Sequence, residues 1–409
     1  MSTAADSHSA LKNLKYRDGV MLWGGRKVTE IAAELGTTPF YAYDCARMAA
    51  RVAELRKAMP AALHLHYAMK ANPMPEVVNH MARLVDGLDV ASAGELRVAL
   101  TSGINPMDIS FAGPGKREPE LRAAVEAGIT INMESETEMH RISRVGTSIG
   151  KRPSVAIRVN PPFELKTSGM KMGGRPSQFG VDAERVPAML AELAALDLQF
   201  RGFHVFSGAQ NLRAEAIEES MTKTVVLVTD LAASTDLEVS FVNLGGGLGI
   251  PYFPKEHPLA LAEVGETAHR AVEALHKGLG KVEVIMELGR YLVGDAGIYV
   301  TRVIDVKESR GMRFAVCDGG LHHHLAASGN FGQVVRKNYP VTAVTLMDEQ
   351  ETVSVVGPLC TPLDLLADRM RMSKLVEGSL VAILQSGAYG RSASPQDFLS
   401  HPHCTELLV

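Results

Sequence analysis

Residues 65–92 read LHYAMKANPMPEVVNHMARLVDGLDVAS, and this stretch decides the fold. It opens on a short apolar run, LHYAMKA (65–71), and closes on another, LDVAS (88–92), each of strand length. Between them, PEVVNHMARLV places apolar residues at helical spacing behind a proline suited to a first helical turn. Strand, helix, strand within 28 residues is a βαβ unit, which requires a parallel sheet. The same alternation continues outward in both directions. ISFAG (109–113), TINME (130–134), VAIRVN (155–160), FRGFHVFSG (200–208), FVNLGGG (241–247) and VIMELG (284–289) read as further buried strands separated by amphipathic helices. Upstream, Thr37-Thr38-Pro39 introduces FYAYD (Phe40–Asp44) and a helical pattern, ARMAARVAELRKAM. Eight or nine such units over about 250 residues predict a closed (β/α)8 barrel.

From about Gly289 the texture changes. GIYVTRVIDVKES, RFAVCDGG, VTAVTLMD, ETVSVVGPL and GSLVAILQSGAYG are β-branched runs parted by turns, which predict a mostly antiparallel β-sandwich or barrel. The expected division is a barrel over 37–288, with 1–36 and 289–409 forming the β domain. The chain has 409 residues, too many for one ordinary core, which fits two domains.

Composition narrows the function classes. A net charge of −4 gives no electrostatic case for nucleic acid, and no stretch reaches the roughly 20 apolar residues of a membrane span. Cys45, Cys317, Cys360 and Cys404 show no CxxC spacing, so neither a disulfide framework nor a zinc knuckle is indicated. The N-terminus lacks a charged start followed by an apolar run, so no signal peptide is expected, and the cysteine usage fits the cytoplasm.

The chemistry-bearing residues cluster at strand ends, where such a barrel builds its active site. Lys70 ends the first apolar run; by itself it reads as a strand-end lysine reaching solvent. Gly245-Gly246-Gly247 with Gly249 follows FVNL, where bare backbone N–H groups close on an anion, although tight turns use glycine too. Glu287 sits in the apolar strand VIMEL and needs a cationic or N–H partner there: a structural ion pair, or the protonated nitrogen of a heterocycle. His204 and Ser207 lie in HVFS, where a core histidine bonded to backbone is the commoner case. Cys360, on the turn GPLCTP, is either a reactive thiol or a small hydrophobe. His322-His323-His324 are expected on a strand, alternating sides and unable to converge on a metal. His64 and His66 share a strand face but have no third ligand nearby, so no metal is expected.

Taken in order, YAMKAN (67–72), LDVASAGEL (88–96), GFHVFSGAQ (202–210), VNLGGGLG (242–249), ELGRYLV (287–293), GPLCTP (357–362) and SGAYG (386–390) resemble the fold-type III pyridoxal 5′-phosphate (PLP) decarboxylases. That family holds the diaminopimelate, ornithine and arginine decarboxylases, built on an alanine-racemase-like barrel with a β domain. The resemblance implies that Lys70 carries PLP as a Schiff base and that His204 stacks on its ring. It implies that Ser207, Gly246, Gly247, Arg290 and Tyr389 hold the phosphate, directly or through the glycine loop, and that Gly289 is among the cofactor-binding residues. Glu287 pairs with the ring nitrogen and Asp89 lies beside Lys70. Cys360 reaches the other subunit's site in a head-to-tail homodimer and returns a proton to Cα after CO2 leaves. Alanine racemases place an arginine where Glu287 stands, so glutamate favours decarboxylation. A racemase and a non-catalytic PLP-binding protein are the rival readings.

Two departures bear on the substrate. Diaminopimelate and ornithine decarboxylases follow the cysteine with Glu or Asp, which binds a distal ammonium; here the residue is Thr361, with Asp364 the nearest compensating acid. The segment SGMKMGGRPSQFG (168–180) more closely resembles the exosortase-associated decarboxylases and the butirosin-pathway decarboxylase that acts on L-glutamyl-acyl-carrier protein. Its Lys171 and Arg175 read either as carrier contacts or as solvated loop charges. The expected substrate is therefore a carrier-tethered aminoacyl group, with free diaminopimelate as the alternative.

Overall fold

The computed structural model describes residues 8–164, 170–171 and 173–409, with only the backbone described for Met170 and Lys171. The chain divides into two compact units. One comprises Ala49–Ile250 and Pro258–Tyr291; the other takes in Met48 and the residues before it, Pro251–His257 and Leu292–Val409.

The first unit is a closed parallel barrel. Its strands are β1 (Leu63–Ala68), β2 (Gly87–Val90), β3 (Ile109–Phe111), β4 (Thr130–Met133), β5 (Ser154–Asn160), β6 (Gln199–Val205), β7 (Phe241–Gly246) and β8 (Glu283–Leu288). Each pairs in parallel with the next, and β8 closes on β1 with Glu287 opposite His66. Closure removes both sheet edges. Short polar signals start the helices. Pro75 opens Pro75–Ala82, and the Ser92 hydroxyl accepts from Glu95 N at 3.1 Å to cap Ala93–Thr101. Ser135 does the same for Glu136–Ile149. The long helix Leu261–Leu279 buries Val264, Ala268, Val272 and Leu275, one stripe at helical spacing.

The second unit is an eight-stranded sheet, mostly antiparallel, with Gly297–Ser309 at its centre. Two pairs run parallel: Met312–Cys317 with Gln350–Val356, and Thr405–Leu408 with Phe40–Tyr43. A core of Met21, Trp23, Val28, Ile31, Phe40, Ile298, Val300 and Ala382 packs one face.

Three expectations need correction. Phe40–Tyr43 does not open the barrel; it pairs antiparallel with Gly297–Val300 in the second unit. All four of its residues are buried, so it carries no alternation that would distinguish a sheet strand from a barrel strand. Pro251–His257 likewise belongs to the second unit, inside the span read as barrel. His322 and His323 lie on a turn after Met312–Cys317 rather than on a strand. Their rings pack tilted by 42° to each other, with centroids 3.7 Å apart.

Candidate active site

The strand ends of the barrel bring Lys70, Asp89, His204, Ser207, Gly246, Gly247, Glu287, Gly289 and Arg290 to one end of one unit. Lys70 sits in the 3-10 turn Met69–Ala71 directly after β1, exposed, with Nζ 5.7 Å from the centroid of the Phe206 ring. Glu287 on β8 and His204 on β6 are both buried, and His204 Nε2 lies 3.3 Å from Glu287 Oε2. Asn243 Nδ2 on β7 donates to the same oxygen at 3.4 Å. Burial alone would raise the Glu287 carboxyl, but His204, then Lys70 and Arg158, outweigh it and hold the group well below the usual carboxylate range. Glu287 is thus an anion in a dry site.

The glycines answer to close packing. A Cβ on Gly246 would lie 2.0 Å from the Glu287 carbonyl oxygen, and one on Gly247 would lie 2.1 Å from that of Gly208. Gly247 also has φ of +80°, the left-handed region. Ser207, just past β6, shares a 2.6 Å hydrogen bond with Ser220 Oγ. Gly289 lies against Ala68, and Arg290 opens the short helix Arg290–Val293 half-buried.

Sequence reading passed over two residues. Arg158, in the middle of β5, forms a 2.8 Å ion pair with Glu134, whose carboxylate also accepts from Gly113 N and Gly180 N. The signal was present: a charge inside the apolar run VAIRVN is the same anomaly that singled out Glu287. Glu95 is the second; burial raises its carboxyl, against the pull of Ala91 N and the charge of Lys70.

Cys360, Thr361, Asp364 and Tyr389 lie in the second unit. Cys360 is exposed on its turn. Thr361 Oγ1 accepts from Leu363 N at 3.3 Å. Tyr389 has φ of +53° and stacks on Phe331, centroids 6.4 Å apart. Asp364 corrects an expectation. Its Oδ1 accepts from Leu321 N at 2.6 Å and its Oδ2 from Leu359 N at 2.8 Å, with the carboxylate pressed on Gly320 and Gly357. Both oxygens are committed to backbone, so it is a loop clamp rather than a substrate acid. Arg175 pairs with Glu164 at 2.6 Å on the surface. The side chain of Lys171 lies outside the described residues, as do Ser168, Gly169 and Met172 of the same segment.

The residues fit a pyridoxal cofactor. His204 Nδ1 and Asp89 Oδ2 are buried with no hydrogen-bond partner, although a dry polar atom demands one. The anionic Glu287 suits a protonated heterocyclic nitrogen. A closed parallel barrel with a strand-end lysine, a buried carboxylate and a glycine loop defines a PLP enzyme. Comparison with known proteins agrees. The family model for the pyridoxal-dependent decarboxylase, pyridoxal binding domain, matches residues 45–294. The chain is 39% identical to L-glutamyl-[BtrI acyl-carrier protein] decarboxylase of Niallia circulans, covering 91% of this chain and 88% of that protein. It is 32% identical to the diaminopimelate decarboxylase of Aquifex aeolicus, covering 97% and 92%. The crystal structure of M. jannaschii diaminopimelate decarboxylase in co-complex with L-lysine superposes with a TM-score of 0.89 at 25% identity, covering 98% of this chain and 93% of that one. The chain belongs to the pyridoxal-dependent decarboxylases and is a PLP-dependent carboxy-lyase. Among the described residues, no helix is long and apolar enough to cross a membrane.

Proposed function

We propose that this decarboxylase acts on an aminoacyl group tethered to a carrier protein, L-glutamyl being the first to test. The observation that carries the reading is the pair Thr361 and Asp364. The residue after Cys360 is uncharged, and the nearest acid holds Leu321 N and Leu359 N instead of facing a ligand. A diamino acid would bring a distal ammonium to this loop with no carboxylate to meet it, a loss of several kcal/mol in a desolvated site. A glutamyl thioester has no such charge. The Niallia circulans relative, named for a carrier-bound glutamyl substrate, supports the same choice.

Within this reading the site residues take separate tasks. Bound PLP supplies the electron sink for the bond that breaks at the substrate's Cα. Lys70 anchors it, His204 covers the ring, Glu287 holds a proton on the ring nitrogen, and Asp89 lies beside Lys70. Ser207, Gly246, Gly247, Arg290 and Tyr389 hold the phosphate, and Gly289 lies against the cofactor. Cys360 works in the partner's site of a cytoplasmic head-to-tail homodimer, delivering a proton to the substrate carbon. Arg175, exposed apart from its Glu164 contact, and Lys171 meet the acidic carrier or its phosphopantetheine phosphate.

Measuring CO2 release from glutamyl-carrier protein, free glutamate and free diaminopimelate tests the proposal. Turnover of the carrier-bound substrate alone supports it; efficient turnover of free diaminopimelate with none from the carrier substrate overturns it.

A further inference from the structure

His66 on β1 has no role in the site described so far, yet it is 2% exposed and built into the barrel interior. Its Nδ1 lies 3.3 Å from Asp89 Oδ1 on β2. The same oxygen accepts from Ser110 Oγ on β3 at 2.6 Å, and Asn132 Nδ2 on β4 donates to that hydroxyl at 3.1 Å. Four neighbouring strands thus carry one polar line, and it converges on a single carboxylate oxygen. The other, Asp89 Oδ2, is buried without a partner. An unmet carboxylate oxygen in a dry site is costly unless a ligand meets it.

Room for the imidazole comes from the neighbouring strand. Gly87 is the register partner of His66, and a Cβ there would lie 2.4 Å from His66 Nε2. Any other residue at 87 would displace the ring. On the far side, the register partner of His66 is Glu287. The imidazole therefore sits on the strand between those that carry the two carboxylates of the site.

We propose that His66 is a positioning residue for the cofactor: with Ser110 it fixes Asp89 through Oδ1 and leaves Oδ2 for the PLP held at Lys70. The inference rests on the family's cofactor. Burial lowers the affinity of His66 for its proton, but Asp89, with Glu283 and Glu287 behind it, outweighs burial and holds the ring above the ordinary histidine range. The charged and titratable groups around it are Asp89 from β2, Asp108 ahead of β3, Glu283 and Glu287 from β8, and His64 on its own strand. As an imidazolium, His66 would balance the charge of Asp89, whose free Oδ2 would meet the cofactor. Without it, that charge favours the protonated, cationic form of the link at Lys70.

The test uses the full chain with PLP as the probe, in wild type, His66→Phe and His66→Gln. It reads the cofactor dissociation constant by equilibrium dialysis and the pH midpoint of the visible absorption band. His66→Phe should weaken cofactor binding about tenfold, the loss of one hydrogen bond to a charged group. Its band midpoint should move to higher pH. His66→Gln keeps a neutral donor, so binding should return to within about threefold while the midpoint stays high. If His66→Phe does not fold, the midpoint of His66→Gln decides. A merely structural role would lower the melting temperature and leave both cofactor readouts at wild-type values, which would overturn the proposal. Failure of the wild type to bind PLP would instead overturn the cofactor assignment itself.

Discussion

Glu287 Oε2 lies 3.3 Å from His204 Nε2, with both side chains almost entirely withdrawn from solvent. The contact joins β8 to β6 across β7, whose Asn243 donates to the same oxygen. It holds a carboxylate ionised in a dry place, where a lone one would take up a proton.

That contact sets an acid limit on stability. A carboxyl whose folded value is depressed contributes stability that is complete above its unfolded value of 4.5 and is lost as pH falls toward the folded value. Urea melts of the cofactor-free protein should therefore show stability falling from about pH 5 downward. Glu287→Gln should flatten that limb and cut kcat about a hundredfold, the usual scale for removing one electrostatic partner of a reacting group. A wild-type acid limb in Glu287→Gln would place the titrating group elsewhere.

The glycine loop makes a second, steric prediction. Gly247→Ala drives a methyl to 2.1 Å from the Gly208 carbonyl oxygen at a φ that alanine disfavours. The loop must shift, so stability should fall by about 1–3 kcal/mol. Dialysis should show PLP affinity down at least about tenfold. Alanine at Gly115, where a Cβ meets nothing within 4 Å, is the control and should change neither.

The barrel was legible because all eight of its strands lie in apolar runs bounded by turn residues, with helices of 3.6 period between them. The strand Leu365–Ser373 was not, because Asp368, Arg369 and Arg371 interrupt its apolar run and Arg369 has φ of +46°. Glu287 and Lys70 stood out as charges against apolar strands. Arg158 carried the same signal unread. The line from Asn132 through Ser110 and Asp89 to His66 has no sequence signature at all, because its four members are 21 to 66 residues apart and meet only when the barrel forms. Asp364 read as a spare acid because nothing local says that its partners are Leu321 N and Leu359 N.

Asp364 should accordingly matter through the loop it holds. Asp364→Ala leaves two buried N–H groups without a charged acceptor, and each such bond contributes about 1.5–3 kcal/mol. Burial raises this carboxyl, against the two N–H groups, so part of that gain is already offset. The expected destabilisation is about 2–3 kcal/mol by urea melts, with a faster thiol-reagent reaction at Cys360 as its turn loosens. An unchanged alkylation rate would show that the turn keeps its shape without the clamp.

Thr361→Glu is the sharpest check on the substrate. Thr361 directly follows the exposed Cys360, and its hydroxyl only caps the turn by accepting from Leu363 N. Removing that weak bond costs about 1 kcal/mol, so the variant should fold. The new carboxylate gives a distal ammonium the partner it lacks, while the uncharged thioester end of a glutamyl group offers it none and leaves it a desolvated, unpaired charge. Free diaminopimelate turnover should therefore rise at least about tenfold, and kcat/KM for glutamyl-carrier protein should fall by a similar factor. A selectivity ratio unmoved in either direction would mean that position 361 does not face the substrate, and the argument from Thr361 against diamino acids would go with it.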